Sequence, residues 1–543
     1  MSQRLNRRHF IQAWVATAAS VGVSALHASA TGSHNEVHSQ YDYIVIGAGS
    51  AGSIVASKLA ASDSAMNVLL IEAGGFPTSN QMYSPSDWFE VLQKYPEIEW
   101  QGYQSLPQLN LNNRVIQLPQ AKVLGGCALH NATVYVRGSR SDFNEWGKVA
   151  SGWSWNDVLP YFEHVEQTMK VLIGEADDFI NDLFAAASEY GLPENLNYNT
   201  SESQYGYSLF QFNNIKRPSE LVRETTFNTF LSNLPDNLTL LSQALVTRIL
   251  FDRNATAIGV EYIKDQNKHI AYVQNEIILS AGAIASPKIL MLSGIGDESQ
   301  LAKFNIPTVA NIPEVGKNLH DDLFVSAGFS IPETQEVPTY AYSLAPAVIF
   351  GSTQNSSSFV DIESSVGVGT LKGFSGPKHS FWLWPNIMHL ESKGTVTLRS
   401  NAPDEPPVID PGYLTALGDL QKCKMALQLG IDIGNKVGQW RERQIAPEPN
   451  QDLESYIREN ANTTHHFCGT CRMGNDEKSV VDTELRVRKT SGLRVIDASV
   501  FPLSITANTA AATMMIAARG IDKMLQNSAV RNQQKVSAIQ PST

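Results

Sequence analysis

The segment 41–75 constrains this chain more than any other, because it reads as a complete βαβ unit wrapped around a phosphate-binding turn. An apolar run, Tyr43-Ile44-Val45-Ile46, leads directly into Gly47-x-Gly49-x-x-Gly52. A small-residue helix follows, then a second apolar run, Val68-Leu69-Leu70-Ile71, ending in Glu72. Gly47 permits the tight turn, Gly49 lets the backbone approach a pyrophosphate, and Gly52 lets the helix pack closely on the strand. The helix N-terminus then faces the phosphate charge. Glu72 is placed to accept hydrogen bonds from a ribose diol. Strand, helix, strand and acidic residue in this order predict a dinucleotide site. They do not separate FAD from NAD.

The remaining composition is permissive. A length of 543 residues suggests more than one domain. With 43% hydrophobic and 17% charged residues, the chain reads as ordinary globular protein. A net charge of −12 gives a nucleic-acid partner no electrostatic support. Four cysteines, Cys127, Cys423, Cys468 and Cys471, are too few for a disulfide framework. Cys468-Gly-Thr-Cys471 lacks the second pair or trailing His of a zinc or haem site, so no metal site is predicted. It reads as two buried thiols near a cofactor, with a redox-active pair as the alternative.

Residues 1–30 carry a different message. Arg7-Arg8 precedes an alanine-rich, mildly apolar run, and Ala28-Ser29-Ala30 is an A-x-A cleavage site. This is the layout of a twin-arginine secretory signal, which exports folded protein to the periplasm or beyond. The apolar run is short for a span of roughly twenty residues. The mature chain, beginning near Thr31, is expected to lack a transmembrane segment.

Helical periodicity marks 177–190, 420–437 and 513–525. The run 394–399 reads as a strand, and the Ser- and Gly-rich stretch 352–375 as a loop. An apolar run at 275–280 ends in Ala281-Gly282-Ala283 and reads as a returning strand of the nucleotide sheet. The nucleotide domain is therefore predicted to be discontinuous.

Four further segments resemble one family, the glucose-methanol-choline (GMC) oxidoreductases. The first is Ala121-Lys-Val-Leu-Gly-Gly-Cys-Ala-Leu-His-Asn131, continuing to Asp142-Phe-Asn-Glu-Trp146. The second is Gly282-Ala-x-x-Ser286-Pro287, continuing to Ser293-Gly-Ile-Gly296. The third is Val315-Gly-Lys-Asn-Leu-His-Asp321, with Asp322 where the family usually has His. The fourth is His466-Phe-Cys-Gly-Thr-Cys-Arg-Met-Gly474, followed by Leu493-Arg-Val-Ile-Asp497-Ala498. The resemblance implies an α/β chain, α+β overall. A Rossmann-type FAD-binding domain would span 41–150, 240–320 and 460–526. The interleaved substrate domain, on an antiparallel sheet, would span 151–239 and 321–459, leaving 527–543 as a polar tail.

It also implies the FAD contacts. Gly47, Gly49, Ser50 and Gly52 would cradle the pyrophosphate, and Glu72 with Ala73 would meet the adenosine ribose. Gly125 and Gly126 would let a second backbone segment approach the cofactor. Asn131, Ala132, Val134, Val246, Ala281, Asp497, Ala498, Asn508 and Thr509 complete the set. His130 sits in a Gly-Gly-Cys-Ala-Leu-His-Asn motif similar to the choline-oxidase-like branch of the family. That similarity suggests a covalent His130–FAD bond, the alternative being a buried His hydrogen-bonded near the flavin edge.

His466 matches the family's catalytic base, which takes the hydroxyl proton as hydride leaves the carbinol carbon. The family's second polar partner aligns on Ala510, so either Asn508 serves or the partner is missing. The implied activity is FAD-dependent oxidation of a small-molecule alcohol, with O₂, a quinone or a cytochrome as electron acceptor. A non-redox lyase or a light-driven fatty acid decarboxylase of the same fold is the alternative. A choline-like substrate would need an aromatic cage with a carboxylate, for which Trp382, Trp384 and Tyr340 are candidate rings.

Overall fold

The computed structural model describes residues 40–539, with side chains to 526. Residues 1–30, read from the sequence as a twin-arginine signal, lie outside the described residues.

The first sheet is built on the βαβ unit. Strands Leu238–Leu241, Val68–Ile71 and Gln40–Ile46 run parallel, and the last pairs in parallel with the C-terminal part of Asn267–Leu279. Parallel strands covered on both faces need continuous apolar runs, and Ile44, Val45, Leu69 and Leu70 are fully buried. The N-terminal part of Asn267–Leu279 turns antiparallel, pairing with Ala257–Lys264 and through it Leu245–Phe251. Leu493–Val495 returns from late in the chain to pair in parallel with Asn267–Leu279. Helix Ser50–Ser62 packs on this sheet and against the final helix, Thr509–Ile539. That final helix runs well past 525, where its apolar periodicity stops. Residues 527–539 contain neither Gly nor Pro, so nothing in them breaks a helix already started.

The second sheet is antiparallel. Its order is Arg443–Ala446, Ala327–Ser330, Ser380–Ile387, Ile362–Val368, Ala347–Gly351, Gly206–Leu209. Helix Asp419–Gly434 packs on it, with helix Asp178–Tyr190 alongside. The side chain of Asp177 caps the latter by accepting from the Ile180 N–H at 2.9 Å. The short strand Gly394–Thr397 forms where expected, in a separate three-stranded sheet.

One expectation is corrected here. Ile362–Val368, inside the stretch read as a loop, is a fully buried inner strand. Its Ser and Gly residues are small because large rings lie over them: a Cβ on Gly367 would sit 2.1 Å from the Trp384 ring. Burial here demands small residues, which in sequence look like a loop. Asn462–Thr463 pairs with Leu323–Phe324 at the edge of the second sheet.

Candidate active site

A cavity of ≈ 860 Å³ lies against the carboxyl ends of the parallel strands and one face of the antiparallel sheet. The end of an open α/β sheet is where such folds bind ligands.

At the nucleotide end, Gly47, Gly49, Ser50, Glu72 and Ala73 line the cavity. Glu72 is buried and its carboxylate is oriented from behind. Oε2 accepts from the Ala48 N–H at 2.9 Å and Oε1 from the Gly74 N–H at 2.8 Å. Burial raises its pKa against these donors. Each oxygen keeps a second lone pair for a ribose hydroxyl. Gly52 does not line the cavity. A Cβ there would fall 1.8 Å from the Gly47 carbonyl oxygen, so its role is helix–strand packing.

In the middle, Gly126 approaches Gly49 so closely that a Cβ on Gly126 would stand 2.8 Å from the Gly49 Cα. Gly126 has φ +58° and lines the cavity, whereas Gly125 faces Leu129 and Thr225 instead and is not a cavity contact. Ala132, Val134, Val246, Ala281, Ala498 and Thr509 also line the cavity. Asp497 does too, but its oxygens serve the backbone. Oδ2 accepts from the Gly282 N–H and the Ser286 hydroxyl, and Oδ1 from the Ser499 N–H. Asn131 is oriented by Arg223, a fully buried guanidinium that donates to Asn131 Oδ1 at 2.8 Å and to the Asn131 carbonyl at 2.6 Å. The Thr133 N–H also donates to Oδ1, which leaves the amide nitrogen of Asn131 for a ligand.

His130 faces the cavity with Nδ1 only 2.5 Å from Glu99 Oε1. Burial disfavours its charge, but the Glu99 carboxylate and Cys127 together outweigh this and raise the imidazole to about 10.

At the reactive end, His466 Nε2 lies 3.0 Å from Asn508 Nδ2, and Nδ1 lies 2.9 Å from Asp322 Oδ2. Ala510 lines the cavity, but Asn508 makes the contact. Its loop is fixed one turn away: the Thr506 N–H donates to Asp142 Oδ2 at 2.8 Å and its hydroxyl to the Val360 carbonyl at 2.9 Å. Asn508 Oδ1 is buried without a partner. The His466 N–H donates to Asp321 Oδ1, whose other oxygen accepts from Thr463 and Tyr413 hydroxyls. Burial lowers the His466 pKa and Asp322 raises it, the net shift being upward.

The antiparallel sheet contributes a wall by its period of two. Trp382, Trp384 and Asn386 line the cavity from one strand, and Glu363 and Ser365 from its neighbour. Phe89 and Phe374 join the rings, with centroids 6.3 Å and 5.7 Å from that of Trp384. Tyr340 does not belong to this wall; its hydroxyl donates to Asp177 Oδ2. Glu363 is 1% exposed and its Oε2 has no hydrogen-bond partner. Burial pushes its carboxyl up to about 7 against the attraction of His466. Sequence reasoning missed Glu363 because it lay in the supposed loop, and missed Glu99 because no motif contains it.

Cys468 and Cys471 are buried free thiols, both raised by burial. No helix among the described residues is long and apolar enough to cross a membrane.

Glycines that admit close backbone approach, a helix N-terminus and a ribose-binding carboxylate fit FAD along the length of the cavity. The comparisons agree. Residues 41–324 match the model of the GMC oxidoreductase N-terminal region, and 391–517 that of the C-terminal region. An uncharacterised GMC-type oxidoreductase of Mycobacterium tuberculosis is 33% identical over 529 residues, covering 89% of this chain and 99% of its own. The oxygen-dependent choline dehydrogenase of Escherichia coli O157:H7 is 32% identical over 540 residues, covering 89% and 94%. Among solved structures, pyridoxine 4-oxidase from Mesorbium loti is 27% identical with a TM-score of 0.81, covering 89% of this chain and 99% of its own. A formate oxidase from Aspergillus oryzae, 21% identical with a TM-score of 0.81 over 90% of this chain and 98% of its own, shares the fold. The chain belongs to the GMC oxidoreductases, FAD-dependent enzymes acting on CH–OH donors.

Proposed function

We propose that the protein oxidises an alcohol, with His466 as general base and Asn508 as its partner. The observation that carries this reading is the 3.0 Å pairing of His466 Nε2 with the Asn508 amide on the wall of the same cavity that holds the phosphate cradle. Bound FAD supplies the hydride acceptor. The alcohol hydroxyl displaces the Asn508 amide from Nε2, the neutral imidazole takes its proton, and the released amide N–H donates to the oxygen as negative charge develops there. The aromatic wall excludes water from the reacting carbon.

The wall also supports a substrate class. Glu363, whose Oε2 is buried without a hydrogen-bond partner, lines the same cavity as Trp382, Trp384 and Phe374. A cationic alcohol would satisfy the carboxylate and stack its charge on the rings. The name of the E. coli relative makes choline the first such alcohol to try and O₂ the first acceptor. We further propose that His130 carries FAD covalently. Glu99 occupies Nδ1, so Nε2 is the nitrogen left for the bond. Export under the arginine pair completes the proposal.

The test is anaerobic mixing of purified holoenzyme with cationic, apolar and aromatic alcohols while the flavin absorbance is followed. Bleaching by a cationic alcohol supports the reading in full. Bleaching only by neutral alcohols removes the cationic assignment. An oxidised flavin across the whole panel overturns alcohol oxidation.

A further inference from the structure

Asp322 stands where the family resemblance leads one to expect His. It is buried, at 6% exposed, and its Oδ2 lies 2.9 Å from Nδ1 of a similarly buried His466. The opposite ring nitrogen faces Asn508 Nδ2 at 3.0 Å. An amide nitrogen can only donate, and an ionised carboxylate can only accept. A single neutral form of the ring satisfies both contacts: hydrogen on Nδ1, lone pair on Nε2. The opposite tautomer would oppose two donors on one side and two lone pairs on the other.

The backbone reinforces this registration. Asp321 holds the His466 N–H, and Asp322 holds the Thr464 N–H through its carbonyl at 3.1 Å. The two adjacent aspartates therefore grip the segment before and at His466. Asp321 is fully engaged by the His466 N–H and two hydroxyls, which leaves Asp322 as the carboxylate on the ring.

We propose that Asp322 is the positioning residue of the base, holding the His466 imidazole in the tautomer whose Nε2 lone pair faces Asn508 on the cavity wall, where a reacting hydroxyl would take the amide's place. The proposal rests on the reading of His466 as the base. Asp322 touches neither hydroxyl nor cofactor; it acts through His466. As the hydroxyl proton moves to Nε2, the ring becomes cationic, and the Asp322 carboxylate stabilises that charge at Nδ1. The proton transferred is the only one that moves, and Nδ1 keeps its own. In the resting protein Asp321, Asp322 and Glu363 face the ring with potential negative charge, His465 adjoins it, and the Cys468 thiol is nearby.

Asp322→Asn keeps the shape but can present an amide N–H to Nδ1, which forces hydrogen onto Nε2. Two readouts test it. The first needs no substrate. A hydrogen bond between a buried imidazole N–H and a carboxylate gives a far-downfield proton resonance. Wild-type holoenzyme should show one that disappears in both Asp322→Asn and His466→Ala while Glu99→Gln leaves it in place. The second is single-turnover flavin reduction against pH. Asp322→Asn should lower the limiting rate about 10²–10⁴-fold with substrate affinity within about threefold. Because the carboxylate holds the His466 pKa up, the acid limb of the profile should also move to lower pH. Asp322→Glu should recover part of the rate. Equal flavin content and equal melting temperature in Asp322→Asn exclude a folding defect.

A wild-type spectrum without the resonance, or one that Asp322→Asn leaves intact, overturns the placement. An unchanged rate and pH profile in Asp322→Asn overturns the positioning role. If the resonance behaves as expected but no alcohol reduces the wild-type flavin, alcohol oxidation fails while the Asp322–His466 assignment stands.

Discussion

Truncating Asn508 to Ala probes the chemistry at a point where the fold contributes little. Its loop is anchored by Thr506 to Asp142 and Val360, and Asn508 Oδ1 has no partner to lose. The substitution therefore removes one amide donor, 3.0 Å from His466 Nε2, and leaves the backbone held. One preorganised donor in a water-excluded site supplies about 10²–10³ in kcat, or about 3–4 kcal/mol of transition-state stabilisation. Stopped-flow reduction of the bound flavin, run anaerobically at saturating alcohol, measures this step directly. The limiting rate should fall by that factor while the apparent substrate dissociation constant moves less than about threefold. A limiting rate within about threefold of wild type refutes the reasoning. A large rise in dissociation constant at constant rate would instead make Asn508 a ground-state binder.

Two further outcomes follow from the buried charges. Glu363→Gln should lower kcat/KM for cationic alcohols about 10–100-fold and leave neutral alcohols within about threefold. Since burial places the Glu363 carboxyl at about 7, wild-type preference for cationic over neutral alcohols should fade as pH drops below that value, which a ratio of kcat/KM values across pH detects. In the apoprotein, His130 is raised from 6.5 to about 10, so its contribution to stability is complete below about 6.5 and lost as pH rises towards about 10. Melting temperature should decline over that window, and less so in Glu99→Gln; parallel declines in both proteins would contradict the pairing. In the holoenzyme, acid denaturation should leave flavin on the wild-type polypeptide and release it from His130→Ala.

Much of this site is legible in the sequence because local rules write it. Gly52 packs on the Gly47 carbonyl, Val68–Ile71 pairs with the strand before the turn, and Glu72 accepts from Ala48 and Gly74, all within one βαβ unit, where backbone sterics permit few residues. His466 stands out through its motif. Other features are written non-locally. Ile362–Val368 looks like a loop because its small residues answer to tryptophans on the neighbouring strand. Glu363 is hidden with it. Gly125 and Gly126 are indistinguishable as letters, and only the fold turns Gly126 to the cavity and Gly125 to Leu129.

The choice between Asn508 and position 510 shows the division most plainly. Sequence alone determined the cofactor class and the two-sheet plan and singled out His466, since each rests on short-range patterns or on collinear motifs. It left the partner of His466 open, because a shift of two residues in a loop does not alter any motif. Tertiary structure decided it: Asp142 and Val360 fix Thr506, and that anchor carries Asn508 to Nε2 while Asp322 meets Nδ1 from the far side. Which polar atoms meet around a buried ring depends on three segments arriving together, and no single stretch of chain contains that information.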